Sequence, residues 1–238
     1  MTAPAGRLRD RVALITGASR GIGRAVARRF AQEGAHLILV ARTVGGLEEV
    51  DDEIKALGAN ATLVPLDLTD LPAIDRLGAA LFDRFGRLDV LVGNAGMLGS
   101  LTPLAHTKPE SWDKVLAVNL TANWRLIRSM DALLRASDAG RVIFVTDRAA
   151  SAPRAYWGAY AIAKAALESM AGIYAAEVEG TKVRVNLLDP GATRTAMRAQ
   201  AFPGEDPQSL KPPEAAADIF VELALPACTR NGDIVRAG

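Results

Sequence analysis

Short continuous runs of apolar residues alternate along the chain with longer segments in which apolar residues recur at helical spacing. Continuous apolar runs are typical of strands buried on both faces of a parallel sheet, whereas helical spacing indicates a helix with one buried face. The runs predict six strands, at residues 12–15, 36–41, 61–66, 88–92, 141–146 and 182–188. The helical spacing predicts helices between them, at residues 24–33, 47–57, 71–85, 111–134 and 156–178.

This alternation indicates an α/β protein with a doubly wound parallel sheet and helices on both faces. The length of 238 residues suits a single domain, residues 1–238, and the sequence contains no internal repeat or linker. Residues 191–213 differ from the rest because prolines recur there and no regular spacing is visible. The segment follows the sixth strand, at the sheet edge where ligands bind, so we interpret it as a substrate lid. A mobile surface loop is the alternative.

Composition and charge exclude several other classes of protein. Hydrophobic residues make up 50% of the chain and the net charge is +1, so there is no basic excess that would favour a nucleic-acid partner. No apolar run is long enough to span a bilayer, and residues 1–10 lack the apolar core of a signal peptide. The one cysteine, Cys228, cannot form an internal disulfide. We therefore expect a cytoplasmic protein with no nucleic-acid or membrane partner.

The first predicted strand runs directly into a glycine-rich turn. Thr16 precedes three glycines spaced Gly-x-x-x-Gly-x-Gly, and the first predicted helix follows them. This arrangement suits a diphosphate, because glycines let backbone amides approach it and the helix dipole favours its negative charge. A glycine turn with no ligand is the alternative, since short motifs of this kind also occur by chance. The candidate contacts in the turn are Gly17, Ser19, Arg20, Gly21, Ile22 and Gly23.

The end of the second strand indicates which dinucleotide would bind. An acidic residue at this position binds the ribose hydroxyls of NAD, whereas an arginine accommodates the 2′-phosphate of NADP. The strand ends at Arg42, and no acid lies within residues 39–43. Arg42 and Arg20 can each donate paired hydrogen bonds to one phosphate, so we predict NADP(H) as the cofactor. In the alternative, both arginines are solvated surface residues.

Two residues of the last long helix can exchange a proton with a substrate. Tyr160 and Lys164 lie four residues apart, so their side chains share one helix face. A free phenol has a pKa of about 10, which is too high for easy proton exchange at neutral pH. A nearby ammonium favours the phenolate and lowers that pKa. The pair therefore suits the transfer of a proton to or from an alcohol or ketone while hydride moves to or from nicotinamide.

Five ordered motifs, spread over residues 12–214, make the chain resemble the short-chain dehydrogenase/reductase family. They are the glycine turn, Asn94-Ala95-Gly96 after the fourth strand, Asn119 in the next helix, the Tyr160–Lys164 pair and Pro190-Gly191 after the sixth strand. The resemblance implies a Rossmann fold and an oxidoreductase that interconverts a small carbonyl compound and a secondary alcohol. It also implies a homodimer or homotetramer in which the two long helices pair.

The resemblance also implies roles for individual residues. Tyr160 would be the general acid/base, Lys164 would assist it and hold the nicotinamide ribose, and Asn119 would support the lysine through water. Asp67 would lie near the adenine, although it could instead cap the next helix, a role for which Thr69 or Asp70 is better placed. Asn119 could instead be a buried, hydrogen-bonded helix residue. The further cofactor contacts implied are Asp67, Leu68, Asn94, Ala95, Gly96, Tyr160, Lys164, Pro190, Gly191, Thr193 and Thr195, and no metal is implied.

The chain departs from the family at one chemically important position. Thirteen residues before Tyr160, where the family has a serine, this chain has Asp147. An ionised aspartate cannot donate the hydrogen bond that the serine gives to the substrate oxygen. Thr146 would point to the opposite face of the strand, and Ser151 would reach the site only if its loop folds back. An alternative function is therefore that of a catalytically impaired NADP-binding sensor or scaffold.

Three further expectations concern the pocket, the end of the chain and a third function. Met97, Leu98, Tyr156 and Trp157 are candidates for an apolar substrate pocket, or else for the core. Residues 231–238 lack the paired glycines usual in the family, so the sequence does not decide whether a last strand forms there. Some dinucleotide folds also bind RNA, but the near-neutral charge of this chain argues against that function.

Overall fold

A single parallel sheet of seven strands forms the centre of the computed structural model, which describes residues 6–152 and 154–237. The sheet has the strand order β3-β2-β1-β4-β5-β6-β7, so the order reverses between β1 and β4. Ligands of such sheets bind beyond the carboxyl ends of the strands at this switch point. The strands are β1 (Val12–Thr16), β2 (His36–Ala41), β3 (Ala61–Pro65), β4 (Val90–Gly93), β5 (Arg141–Val145), β6 (Arg184–Asp189) and β7 (Ile234–Arg236).

Helices cover both faces of the sheet, which confirms the predicted doubly wound fold. The α-helices of the described residues are α1 (Gly21–Gln32), α2 (Val44–Ala56), α3 (Leu71–Phe85), α4 (Pro109–Leu116), α5 (Ala122–Ala136), α6 (Gly158–Glu177), α7 (Ala196–Ala201) and α8 (Glu214–Ala224). Successive residues of a strand point to opposite faces. Ala13 and Ile15 accordingly pack with α1, α2 and α8, whereas Val12 and Leu14 pack with α3, α5 and α6. None of the described helices is long and apolar enough to cross a membrane.

All six predicted strands and all five predicted helices are present, with ends that differ from the predicted ones by at most three residues. The first helix begins at Gly21 rather than at residue 24, so its first turn contains part of the glycine motif. The last long helix begins at Gly158 because Tyr156 has a φ of 75°, a left-handed conformation that interrupts a helix.

The continuous helix predicted at residues 111–134 is wrong at one turn. A π-helical turn, Ala117–Thr121, separates α4 from α5. The Asn119 side-chain amide donates to the Val115 carbonyl at 3.0 Å, and the Asn123 amide donates to the Asn119 carbonyl at 2.9 Å. The wider turn disturbs the backbone hydrogen bonds that these two carbonyls would accept in an α-helix, and the side-chain amides donate to them instead. Apolar spacing alone could not predict the interruption.

The chain beyond β6 is more regular than the sequence predicted. Residues 191–213, interpreted as an irregular lid, contain α7 and a parallel bridge between Thr193 and Lys211. β7 is present and pairs with β6. Asn231 positions it without paired glycines, since its side chain accepts from the Val185 amide and donates to the Ala175 carbonyl, both at 2.9 Å. The predictions for residues 1–5 and Gly238 concern positions outside the described residues.

Candidate active site

A cavity of about 660 Å³ lies beyond the carboxyl ends of the central strands. It brings together most of the residues that the sequence singled out. Two of them, Gly23 and Asn119, are buried outside its lining. The predicted residues that line it are Gly17, Ser19, Arg20, Gly21, Ile22, Arg42, Asp67, Leu68, Asn94, Ala95, Gly96, Asp147, Tyr160, Lys164, Pro190, Gly191, Thr193 and Thr195.

The glycine turn leaves the beginning of α1 open to an anion. Arg20, the residue before the helix, makes no side-chain capping bond, and the first helical turn contains no acidic residue. Backbone amides in that position can hold a phosphate. The turn is also too tight for side chains, because a Cβ on Gly23 would lie 2.3 Å from the Gly17 carbonyl oxygen. A Cβ on Gly17 would lie 2.9 Å from the Ala95 Cα. The turn therefore fits a dinucleotide diphosphate.

Thr16 and Asn94 join the ends of β1 and β4 at the switch point. The Asn94 side-chain amide donates to the Thr16 carbonyl at 2.9 Å. The Thr16 hydroxyl oxygen accepts from the backbone amides of Asn94 and Ala95, both at 3.0 Å. These bonds hold the glycine turn and the Asn94-Ala95-Gly96 segment against each other.

Arg42 and Asp67 lie together at one end of the cavity. Their side chains are both exposed, with 3.9 Å between Arg42 Nη1 and Asp67 Oδ2. Asp67 Oδ1 accepts from the amide and the hydroxyl of Thr69, and these bonds, with the Arg42 charge, hold the pKa of Asp67 below its usual value. Asp70 caps α3 by accepting from the Ala73 amide at 3.0 Å, so Asp67 does not have that alternative role. Arg42 remains accessible to a phosphate.

Tyr160, Lys164 and Asp147 form the polar centre of the cavity. The Tyr160 hydroxyl donates to Asp147 Oδ2 at 3.2 Å, and Lys164 Nζ donates to the Val145 carbonyl at 2.7 Å. Burial raises the pKa of Tyr160 well above its ordinary value, and the adjacent Asp147 raises it further. Burial lowers the pKa of Lys164 to about 8, against the opposing effect of Asp147 and Glu168. Tyr160 is therefore a neutral phenol at neutral pH.

No neighbouring hydroxyl in the described loop takes the place of the expected serine. Thr146 also lines the cavity, but its hydroxyl donates to Glu168 at 2.7 Å. Ser151 is exposed, with its hydroxyl 3.5 Å from the Arg148 carbonyl. Asp147 itself accepts from the Ala149 amide at 2.8 Å, which fixes the carboxylate at the end of β5. Among the described side chains, no arginine or lysine forms an ion pair with it.

Asn119 holds the segment after β4 rather than contacting Lys164 directly. Its side chain accepts from the Met97 amide at 3.1 Å and donates to the Met97 carbonyl at 2.8 Å. The side chain is fully buried, which is the placement expected for a hydrogen-bonded helix asparagine. Support of Lys164 through water stays a prediction.

The apolar end of the cavity combines predicted residues with residues of α7. Met97, Leu98 and Trp157 line it as the sequence suggested, whereas Tyr156 is 59% exposed and does not. Five lining residues from α7 and the position after it were not predicted from the sequence, and they are Ala196, Met197, Arg198, Ala201 and Phe202. The four-residue spacing of Met197 and Ala201 was the available signal, because such residues share a helix face.

Charged and aromatic contacts hold the segment that contains α7. Arg198 donates to both carboxylate oxygens of Glu205 at 2.6 Å, and its guanidinium lies 3.8 Å from the centre of the Phe202 ring. The Trp157 ring lies 5.6 Å from that of Phe202 and 5.9 Å from that of Tyr160. These contacts place an aromatic wall beside the polar centre.

Comparison with known proteins determines the family. The family model described as short chain dehydrogenase matches residues 11–206. The chain belongs to the short-chain dehydrogenase family. Oxidoreductase YciK of Escherichia coli K12, whose name marks it as uncharacterized, is 39% identical over 219 residues, 91% of this chain and 86% of that protein.

Solved structures of other short-chain dehydrogenases share the whole fold. One from Pseudomonas syringae has a TM-score of 0.95 and 38% identity, and the match covers 100% of this chain and 98% of that one. Another, from Shigella flexneri and complexed with NADP, has a TM-score of 0.94 and 37% identity. The match covers 98% of this chain and 99% of that one. This short-chain dehydrogenase is therefore an oxidoreductase by family, with Tyr160 and Lys164 at the positions of the Tyr-x-x-x-Lys motif.

Proposed function

We propose that the chain is an NADP(H)-dependent oxidoreductase that interconverts a carbonyl compound and a secondary alcohol. The observation that carries this proposal is the shared cavity, in which the open beginning of α1, Arg42 and the Tyr160–Lys164 pair line one space. Relatives with known structures support the choice of cofactor, since one is a complex with NADP and another a complex with NADPH.

The residues of the cavity divide into groups that would bind different parts of the cofactor. The amides at the beginning of α1 would hold the diphosphate, and Arg20 and Arg42 the 2′-phosphate. Asp67 and Leu68 would contact the adenine. The other predicted cofactor contacts would hold the nicotinamide end. They are Asn94, Ala95, Gly96, Lys164, Pro190, Gly191, Thr193 and Thr195, and all of them line the cavity. When bound, the reduced cofactor supplies a hydride to the substrate carbon.

Tyr160 would supply the proton that accompanies the hydride. Its hydroxyl is the acidic group that faces the cavity centre, and its raised pKa keeps it protonated at neutral pH. The substrate oxygen would take that proton as its carbon is reduced, and the Lys164 ammonium would stabilise the phenolate that forms. A neutral phenol favours reduction over oxidation, because oxidation needs the phenolate as a base.

A panel of ketones and secondary alcohols tests this function. We expect that at least one ketone causes oxidation of NADPH. The reaction is monitored as the loss of the near-ultraviolet absorbance of NADPH. Tight binding of NADPH without turnover of any C=O compound would favour the second candidate, an impaired sensor or scaffold. The observation that supports this second candidate is the bond from the Tyr160 hydroxyl to Asp147, which opposes proton release.

We expect NADPH to bind more tightly than NADH, and Arg42→Ala to remove much of the difference. Losing one charged hydrogen bond to the 2′-phosphate costs about 1.5–3 kcal/mol. Calorimetric titration of both cofactors measures the effect. Arg76→Ala is the matched control, since Arg76 is similarly exposed, pairs with Asp70 and lies outside the cavity lining. Equal affinities of the wild type for the two cofactors would contradict the prediction.

We also propose that the chain forms a homodimer or homotetramer through α5 and α6. Trp124 on α5 and Ile162 and Ile173 on α6 are 42–59% exposed, so these two helices present large apolar side chains that a partner subunit would cover. We expect Ile173→Arg to lower the mass measured by light scattering. Phe82→Arg, on α3 and with the same 59% exposure in the wild type, should leave the mass unchanged. A wild type that is monomeric at micromolar concentration would refute the proposal.

A further inference from the structure

Asp147 gives the reacting end of the cavity a charge that suits a cation. Its Oδ2 lies 3.2 Å from the Tyr160 hydroxyl, and its Oδ1 is bonded to the Ala149 amide. Neither contact neutralises the carboxylate. Arg154 is exposed and lies over the rings of Trp157 and Phe202, and no ion pair connects it with Asp147 in the part of the chain that the structure describes. The carboxylate therefore keeps its charge for a group inside the cavity.

The reacting atom of the substrate must lie close to this carboxylate. A general acid works within hydrogen-bond distance of the atom that it protonates, so the oxygen of a carbonyl substrate would contact the Tyr160 hydroxyl and be a near neighbour of Asp147. The nitrogen of a C=N substrate, which is protonated before it binds, would occupy the same place. A carbonyl oxygen has only lone pairs to present to the carboxylate, and it gains negative charge during reduction. A nitrogen that carries a proton instead donates a charge-assisted hydrogen bond to the carboxylate.

We propose that the preferred substrate of this chain contains a protonated C=N group whose N–H donates to Asp147. This inference rests on the proposed function, because the hydride comes from the same cofactor. The imine carbon gains the hydride, the π-electron pair of the C=N bond becomes the lone pair of the nitrogen, and the N–H proton stays in place. The product is a neutral amine and the oxidised cofactor, so charge and electrons balance.

One wall of the cavity favours a cation of this kind. Leu98, Trp157, Met197 and Phe202 provide an apolar and aromatic surface, beside which a carboxylate pairs more strongly with a cation than it does in water. Aromatic rings also attract cations. The Lys164 ammonium is the nearby positive group, and it is directed to the Val145 carbonyl at 2.7 Å.

The test compares a phenyl-substituted cyclic imine with the ketone of the same carbon skeleton. We expect the wild-type kcat/KM to be higher for the imine than for the ketone. Asp147→Asn should lower kcat/KM for the imine by about tenfold to a hundredfold, which is the effect of losing one charged hydrogen bond. Calorimetry provides a second readout without turnover. The saturated cyclic amine should bind to the NADP-loaded wild type, and at least about tenfold more weakly to NADP-loaded Asp147→Asn.

The affinity for NADP should be the same in both proteins, which shows that the variant is folded. An imine-to-ketone ratio that Asp147→Asn leaves unchanged, or equal binding of the amine to both proteins, would overturn the inference and leave the proposed function standing. Turnover of neither C=O nor C=N substrates by a wild type that binds NADPH would overturn both.

Discussion

Tyr160→Phe is expected to lower kcat for ketone reduction by about 10²–10⁴-fold, the contribution of a positioned general acid. The hydroxyl of Tyr160 lies 3.2 Å from Asp147, and Tyr160, Asp147 and Lys164 all line the cavity. The affinity for NADPH should change little, because the ring, which packs against Trp157, is retained. Stopped-flow reduction and a separate cofactor titration measure the two effects.

Tyr174→Phe provides a matched control for this substitution. Tyr174 lies on the same helix, is similarly buried and donates its hydroxyl to Asp131 at 2.8 Å, far along the helix from Lys164. Loss of the Tyr174 hydroxyl should cost about 1 kcal/mol of stability and leave kcat unchanged.

The pH profile of ketone reduction provides a further check on the role of Lys164. Because burial lowers the pKa of Lys164 to about 8, its ammonium is lost as the pH rises through that value, and reduction should slow there.

If Tyr160→Phe kept most of the wild-type kcat, Tyr160 would not be the proton donor. The same conclusion would follow if Tyr174→Phe lost as much activity as Tyr160→Phe. Both outcomes would also weaken the role proposed for the Tyr160–Lys164 pair. The proposed cofactor site would stand, since its other residues lie outside α6.

Most of the sheet was predictable because strands such as β1, β2 and β4 are largely continuous apolar runs. A strand such as β1 is buried on both faces, so its sequence contains no polar residue before Thr16 and its limits are easily seen. The glycine turn was predictable for a similar reason, since a side chain at Gly23 would collide with the Gly17 carbonyl. In both cases the local sequence carries the physical constraint.

The π-helical turn and the order of residues 191–213 were not predictable in the same way. In the turn, Asn119 contacts Met97, which follows β4 and is distant in sequence. In residues 191–213, Arg198 contacts Glu205 and Phe202, and nothing in the spacing of prolines indicates that pairing. Side-chain contacts between distant segments decide both features, whereas apolar spacing reports only which face of an element is buried.

The sequence alone predicts that Asp147 hinders the reduction of ketones. The structure adds the contact between Asp147 and Tyr160. Carboxylate Oδ2 lies 3.2 Å from the hydroxyl that must release a proton, and the negative charge raises the pKa of that hydroxyl. The same charge repels the negative charge that develops on a carbonyl oxygen during reduction. A serine at this position would remove both effects and would donate a hydrogen bond.

Asp147→Ser is therefore expected to raise kcat for ketone reduction by at least about tenfold, since one donor to a developing oxyanion contributes about 10²–10³ in rate. NADPH affinity should change little. The pKa of Tyr160 should fall once the carboxylate is gone, so the pH at which alcohol oxidation reaches half of its maximum should move to lower pH. That midpoint is measured from initial rates across a pH series.

A ketone rate that Asp147→Ser leaves equal to or below that of the wild type would mean that the aspartate assists ketone reduction. A carboxyl group held protonated in the apolar cavity would donate as a serine does. Its signature would be wild-type activity that falls as the pH rises through an apparent pKa, a dependence that Asp147→Asn would abolish. A rate increase with the serine variant, together with a loss of imine reduction in the asparagine variant, would instead mean that one carboxylate both hinders C=O and favours C=N.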